Sequence, residues 1–152
     1  MTRIIHLSLT SSLILLSLAL AACAGPAPTS PPATGGTFGY EDLVAALEES
    51  GAEVQPGVMI EQDFFPVGAQ VITINGQDVQ VFEFDTQTGR QAAEATIQGN
   101  GYIIGTMSID WISTPYFFSR DRLIVLYVGT DQSKLETLTG ILGPALTGPE
   151  AG

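Results

Sequence analysis

The chain is short of the side chains from which most active sites are built. It holds one histidine, His6, one cysteine, Cys23, and one tryptophan, Trp111, and its five lysines and arginines face sixteen aspartates and glutamates for a formal charge of −11. Because His6 and Cys23 both fall at the N-terminus, everything beyond Cys23 lacks imidazole and thiol. A Ser-His-Asp or Cys-His nucleophile system cannot be assembled there, and neither can the histidine- and cysteine-based zinc or copper sites. Lys134 directly follows Ser133, which is not the S-x-x-K spacing of a Ser-Lys enzyme. There is no glycine-rich phosphate cradle and no EF-hand ligand ladder, and Asp85-Thr86-Gln87 is not the Asp-Thr-Gly of an aspartic protease. No cofactor is called for, no metal site is expected and no catalytic residue is assigned. The scarcity of Lys and Arg excludes counterion-releasing nucleic-acid binding and a basic patch for anionic lipid.

What is present begins with a leader. Arg3 is the only fixed charge before a leucine-rich stretch from Leu7 to Ala22, which ends in small residues. Ser8, Thr10, Ser11, Ser12 and Ser17 interrupt that stretch, and Pro26 follows with no basic stop signal, whereas a spanning helix takes ~20 predominantly apolar residues. Residues 1–22 therefore read as an export signal. Leu20-Ala21-Ala22-Cys23 resembles the lipobox of bacterial lipoproteins. The resemblance implies that Cys23 is lipidated and becomes the first mature residue, that the membrane is a partner through that lipid, and that the protein sits on the cell membrane or outer membrane facing the extracytoplasmic side. Two acyl chains suffice for stable anchoring where one is marginal. Ala24, next to Cys23, is not the Asp that resembles an inner-membrane retention signal, which favours the outer membrane in a two-membrane host. Loss of Arg3 with the leader takes the formal charge from −11 to −12.

Residues 23–37 form the lipidated Cys and a proline- and glycine-rich tether without charge. Such a segment cannot bury enough apolar surface to fold; its reach is about 20 Å as a coil and ~43 Å at the polyproline limit. The expected globular domain is 38–146, with a disordered tail at 147–152.

Within the domain, Glu41 to Ser50 reads as a helix: Glu41 and Asp42 suit its positive end, Leu43, Val44 and Leu47 form a stripe, and Gly51 stops it. Val58, Ile60 and Phe64 alternate with polar positions as a strand. Val71–Ile74, Asn75-Gly76 and Val79–Phe84 form a β-hairpin, since Asn-Gly supplies the positive φ angles of a tight turn. A weak helix follows, capped by Asp85 or Thr88, with Ala92, Ala93, Ala95 and Ile97 inward. Ile103, Met107, Ile109 and Trp111 share one face of a fourth strand. The unbroken apolar run Leu123–Val128 reads as a central strand covered on both faces. Thr130 and Asp131 open a last helix that turns Leu135, Leu138 and Leu142 inward and ends at Gly143-Pro144. The fold class is α+β: a single domain with a largely antiparallel twisted sheet of about five strands, helices mainly on one face, and the order α-β-β-β-α-β-β-α.

Three groups of side chains carry the candidate sites. Glu61, Asp63, Glu83, Asp85 and Asp110 lie on or beside strands, where two could converge as an acid and base or as calcium ligands, although a one-sided sheet already places polar residues on its solvated face. The pairs that would matter are Asp110 with Glu83 and Asp63 with Asp85. Arg120 and Arg122 flank Asp121; they suit forked binding of an anion or, more simply, local pairing on an edge strand. Trp111, Tyr116, Phe117 and Phe118 surround Pro115 between the last two strands, beside those arginines. Aromatics with Arg are enriched at interface hot spots, so Trp111, Tyr116, Phe117, Phe118, Arg120 and Arg122 form the candidate binding patch. The competing reading is that these aromatics are core.

Three segments, Tyr40-Glu41-Asp42-Leu43-Val44, Asp78-Val79-Gln80-Val81-Phe82-Glu83 and Arg122-Leu123-Ile124-Val125-Leu126-Tyr127-Val128-Gly129, resemble small uncharacterised lipid-anchored proteins of bacterial envelopes. That resemblance implies an autonomous domain and no particular substrate. The function expected from the sequence is a non-catalytic binding or interaction module outside the cytoplasmic membrane, with an envelope protein or glycan as its partner. The alternative is a carboxylate-dependent hydrolase acting on envelope glycans.

Overall fold

The computed structural model describes residues 37–149. The leader, Cys23 and all but the last residue of the tether lie outside the described residues, as do 150–152. Helix α1, Tyr40–Glu49, follows Gly39, whose backbone N–H donates to the Asp42 carboxylate at 2.9 Å. Gly51, at φ 86°, ends the turn that follows. Strands β1 (Val54–Ile60), β2 (Ala69–Ile74) and β3 (Gln77–Glu83) form a meander. Its second turn is the expected one: Asn75 and Gly76 take φ 47° and 77°, and the Asn75 carboxamide oxygen also accepts from the N–H of Glu53. After α2 (Gln87–Glu94) come three two-residue strands, β4 (Ile97–Gln98), β5 (Ile103–Ile104) and β6 (Met107–Ser108). β7 (Pro115–Arg120), β8 (Leu123–Val128) and α3 (Gln132–Leu142) close the fold.

The architecture is α+β. A five-stranded antiparallel sheet runs β1-β2-β3-β8-β7, and β4-β5-β6 make a second small sheet. Alternation along β8 explains its unbroken apolar run. Leu123, Val125 and Tyr127 face one side, where Leu43 and Leu47 of α1 and Leu138 and Leu142 of α3 cover them. Ile124 and Leu126 face the other, among Ala93 of α2, Ile104 of β5, Phe65, Phe82 and Phe117. Phe64 and Phe65 reach that second core from the 61–68 loop, and Phe65 meets Phe82 edge-on at 4.9 Å.

Four local expectations give way to the structure. The first strand is Val54–Ile60 and stops short of Phe64, and a register slip between Pro56 and Met59 leaves Val58 67% exposed. α2 is capped by Thr86, whose hydroxyl oxygen accepts from the Gly89 N–H at 3.1 Å, and not by Asp85 or Thr88. Its buried residues are Ala93 and Arg90; Ala92 and Ala95 are exposed. The expected strand from Ile103 to Trp111 is instead a tight hairpin of β5 and β6 that turns at Gly105, φ 60°. The segment read as an aromatic loop supplies the fifth main strand, β7. Its proline and consecutive aromatics read as irregular chain, and Ser119 and Arg120 break the apolar run.

Both sheet edges are guarded, by different means. On β1, Pro56 brings no N–H and the irregularity beside it breaks the ladder. On β7, the C-terminal segment takes the open backbone groups: Leu146 N–H donates to the Phe117 carbonyl at 2.7 Å, and Thr147 Oγ1 accepts from Phe117 N–H while donating to the Pro115 carbonyl. Packing therefore continues past the expected boundary at 146. Thr147 is buried, and Gly148 N–H donates to Asn100 Oδ1 at 2.8 Å.

Candidate functional site

Strand alternation takes the expected aromatic and arginine patch apart. Phe118 points to the α1/α3 side and Phe117 to the α2 side, and both are fully buried. Tyr116 pairs across the sheet with Tyr127, stacked at 6.4 Å between ring centres. Trp111 is half-buried on the second face, edge-on to Phe64 and Phe117, and its ring N–H donates to the Gly101 carbonyl at 2.8 Å.

The arginines have structural work of their own. Arg120 stacks 3.9 Å over the Phe38 ring and donates to the Ile141 carbonyl at 2.6 Å. Arg122 pairs with Glu83 at 2.7 Å and donates to the Phe84 carbonyl. Together they tie the chain entering α1 to the β7–β8 turn, where Asp121, at φ 47°, accepts from Phe38 N–H. Arg90, unremarked in the sequence, joins the same corner from α2: it pairs with Glu94 and donates to the Asp121 carbonyl. Neither arginine pairs with its neighbour Asp121 in a salt bridge; both are engaged by residues distant in the chain.

One of the two expected carboxylate pairs is also taken apart. Glu83 shares the odd-numbered face of β3 with Val79 and Val81, under α1, where it also accepts from Tyr40 N–H. Asp110 lies on the opposite face of the sheet. The expected Asp110–Glu83 pair is therefore separated by the sheet itself. Among the described residues, no group of three or more His, Cys, Asp or Glu side chains is placed to hold a metal ion, and no helix is long and apolar enough to cross a membrane.

One concave feature among the described residues is on the second face, and a smaller one of about 700 Å³ lies on the first, with Tyr116, Phe118 and Leu135 in its lining. α2, the small sheet and the 61–68 loop cover only one end of the second face. The other end is an open groove of about 1090 Å³ with the half-buried Val71, Gln80 and Val128 on its floor, Val58 on its β1 side, and the Ile109–Ser113 segment as its wall. Ile112 stands fully exposed on that wall. No protein-family model, curated protein or solved structure matches this chain. The site must be read from its own chemistry.

At one end the groove meets the start of α3, and a connected set of polar groups fixes that corner. Tyr127 Oη donates to Gln77 Oε1 at 2.8 Å and accepts from Asp131 N–H at 3.1 Å. Asp131 Oδ1 accepts from the N–H of Ser133 and of Lys134, capping α3 as expected from the sequence. Lys134 is buried and donates from Nζ to the Ile74 carbonyl. Burial pushes its amine below the usual lysine value, opposed by the charge of Asp131.

The Ser133 hydroxyl foremost, then the Lys134 N–H, holds the Asp131 carboxyl below its ordinary range, against the opposing effect of desolvation. A carboxylate whose folded value is depressed contributes stability above its unfolded value, about 3.9, and loses it as pH falls through the lower folded value. Acidification from about pH 5 to about pH 2.5 should therefore lower the urea midpoint more in the native protein than in Asp131→Asn, whose cap does not ionise. Equal losses would show that this cap is not charge-dependent.

Proposed function

We propose that this chain is a lipid-anchored protein of the bacterial envelope whose domain binds a partner through the half-open face of its sheet. The observation that carries the reading is the groove. An apolar floor inside a folded domain is normally covered, and here the covering elements stop halfway while both sheet edges are closed to strand addition. The anchoring half of the reading rests on the lipobox-like Leu20-Ala21-Ala22-Cys23.

Two measurements test the two halves separately. In the native host, the protein should fractionate with membranes and carry acyl chains on Cys23 by intact mass, and Cys23→Ser should abolish both. A photo-reactive residue at position 112, on the groove wall, should give a reproducible envelope adduct that the same residue at position 48, on the exposed side of α1, does not give. Identical adducts from both positions, or none from position 112, would defeat the binding reading. Release of sugar from envelope glycan, lost in Asp110→Asn, would replace it with the hydrolase.

A further inference from the structure

The groove is one-sided in its chemistry. Asp78, Asp110 and Asp131 line it, and no lysine, arginine or histidine does. Asp131 is committed to capping α3, and Asp78 accepts from Thr73 Oγ1 through one oxygen. Asp110 is exposed, and the ion pairs among the described residues lie elsewhere, at Arg90–Glu94 and Arg122–Glu83. Gln80 uses its amide oxygen on Gln62 Nε2 at 2.9 Å, which leaves its amino group as a donor on the floor. Between these polar groups the surface is aliphatic and aromatic, from the half-buried Val71 and Val128 to Trp111 and Ile112.

We propose, building on the binding reading above, that the groove takes a polypeptide segment in which a lysine or arginine flanks an aliphatic or aromatic side chain. The apolar floor takes the uncharged side chain. Asp78 and Asp110 receive the cation; among the described residues neither is in an ion pair. A volume near 1090 Å³ is at the upper end for compact small-molecule pockets, and its open mouth suits a chain that passes through. With a formal charge of −11, the domain also draws basic segments and repels acidic ones before contact. The guarded β1 edge makes docking across the face, by side chains, the available mode.

Trp111 is the only tryptophan in the sequence and lines the groove, so its emission reports occupancy. The full chain in non-ionic detergent is titrated with short synthetic peptides of alternating lysine and leucine, glutamate and leucine, or lysine and serine, each corrected against empty micelles. The lysine–leucine peptide should shift Trp111 emission and bind at least about ten-fold more tightly than either other peptide, with affinity falling as salt screens the charges. Asp78→Asn with Asp110→Asn should weaken it about ten-fold or more. Glu48→Gln with Glu49→Gln, which removes the same charge from α1, should leave it unchanged. Equal weakening by both double variants would reduce the effect to net charge and overturn the proposal. Equal binding of the glutamate–leucine peptide would overturn the cationic assignment while leaving the groove a binding site. Silence from Trp111 with all three peptides would overturn this proposal, whereas the photo-adduct at position 112 judges the binding reading independently.

Discussion

Alanine at Phe117 or Phe118 should strongly destabilise the domain rather than silence an interface. Each ring is fully buried, one in each of the two cores, and truncating a buried Phe costs roughly 3–5 kcal/mol through lost transfer energy and the cavity left behind. Against the ~5–15 kcal/mol that stabilises a typical domain, either change removes a large share. Phe117 is the more exposed to failure, because its ring also supports Trp111 at 6.2 Å and Phe65 at 6.4 Å. Urea unfolding followed by circular dichroism should show midpoints well below that of the native protein. A variant with a native midpoint and lost partner binding would restore the surface-patch reading.

Gly129→Ala should be the most damaging exchange of a single methyl at the groove. A Cβ at that position would sit 2.3 Å from Tyr127 Oη and 2.5 Å from Cζ. The ring is buried in the sheet and cannot swing away without leaving its stack on Tyr116. Overpacking of this kind costs about 1–3 kcal/mol, and displacement of the hydroxyl would also release Gln77 and the Asp131 N–H, worth about 1 kcal/mol each. Tyr127→Phe provides the comparison, since it deletes the hydroxyl and keeps the ring. If Gly129→Ala loses no more stability than Tyr127→Phe in the same urea titration, then the close approach of the glycine backbone to the ring is not what that position requires.

The elements legible in the sequence are those whose signals are local. Asn75-Gly76 between two β-branched runs is a turn by backbone conformation alone, and Asp131 two and three residues before free helix N–H groups is a cap wherever it lies. Leu43 and Leu47, like Leu138 and Leu142, repeat at helical spacing and are buried as expected. The failures have separate causes. Pro115–Arg120 looks like a loop because its proline and consecutive aromatics suggest irregular chain, and Ser119 and Arg120 break the apolar run that marks β8. Ile103–Trp111 shows a convincing period of two, yet Gly105 reverses the chain within it. An apparent strand period cannot reveal a glycine that takes positive φ.

The candidate patch is divided between two faces for the same reason that it looked attractive. Four aromatics in eight residues are close in sequence, but in a strand successive side chains leave by opposite faces, so Tyr116 and Phe118 fall on one side and Phe117 joins Trp111 on the other. Arg120 and Arg122 gave no local sign that Phe38, Ile141 and Glu83 would engage them. The groove escaped notice because its lining comes from β1, β2, β3, β8 and the 109–113 segment, and no stretch of sequence contains enough of it to stand out.

By itself the sequence determined the α+β class, the Asn75-Gly76 hairpin and the Asp131 cap, because turn conformation and helix-end hydrogen bonding act over a few residues. The tertiary structure alone decided which strand lies at the edge, which face is left half covered, and which carboxylates stand beside apolar surface. Those follow from strand order and from where α2 and the small sheet stop, which are set by packing between residues far apart in the chain.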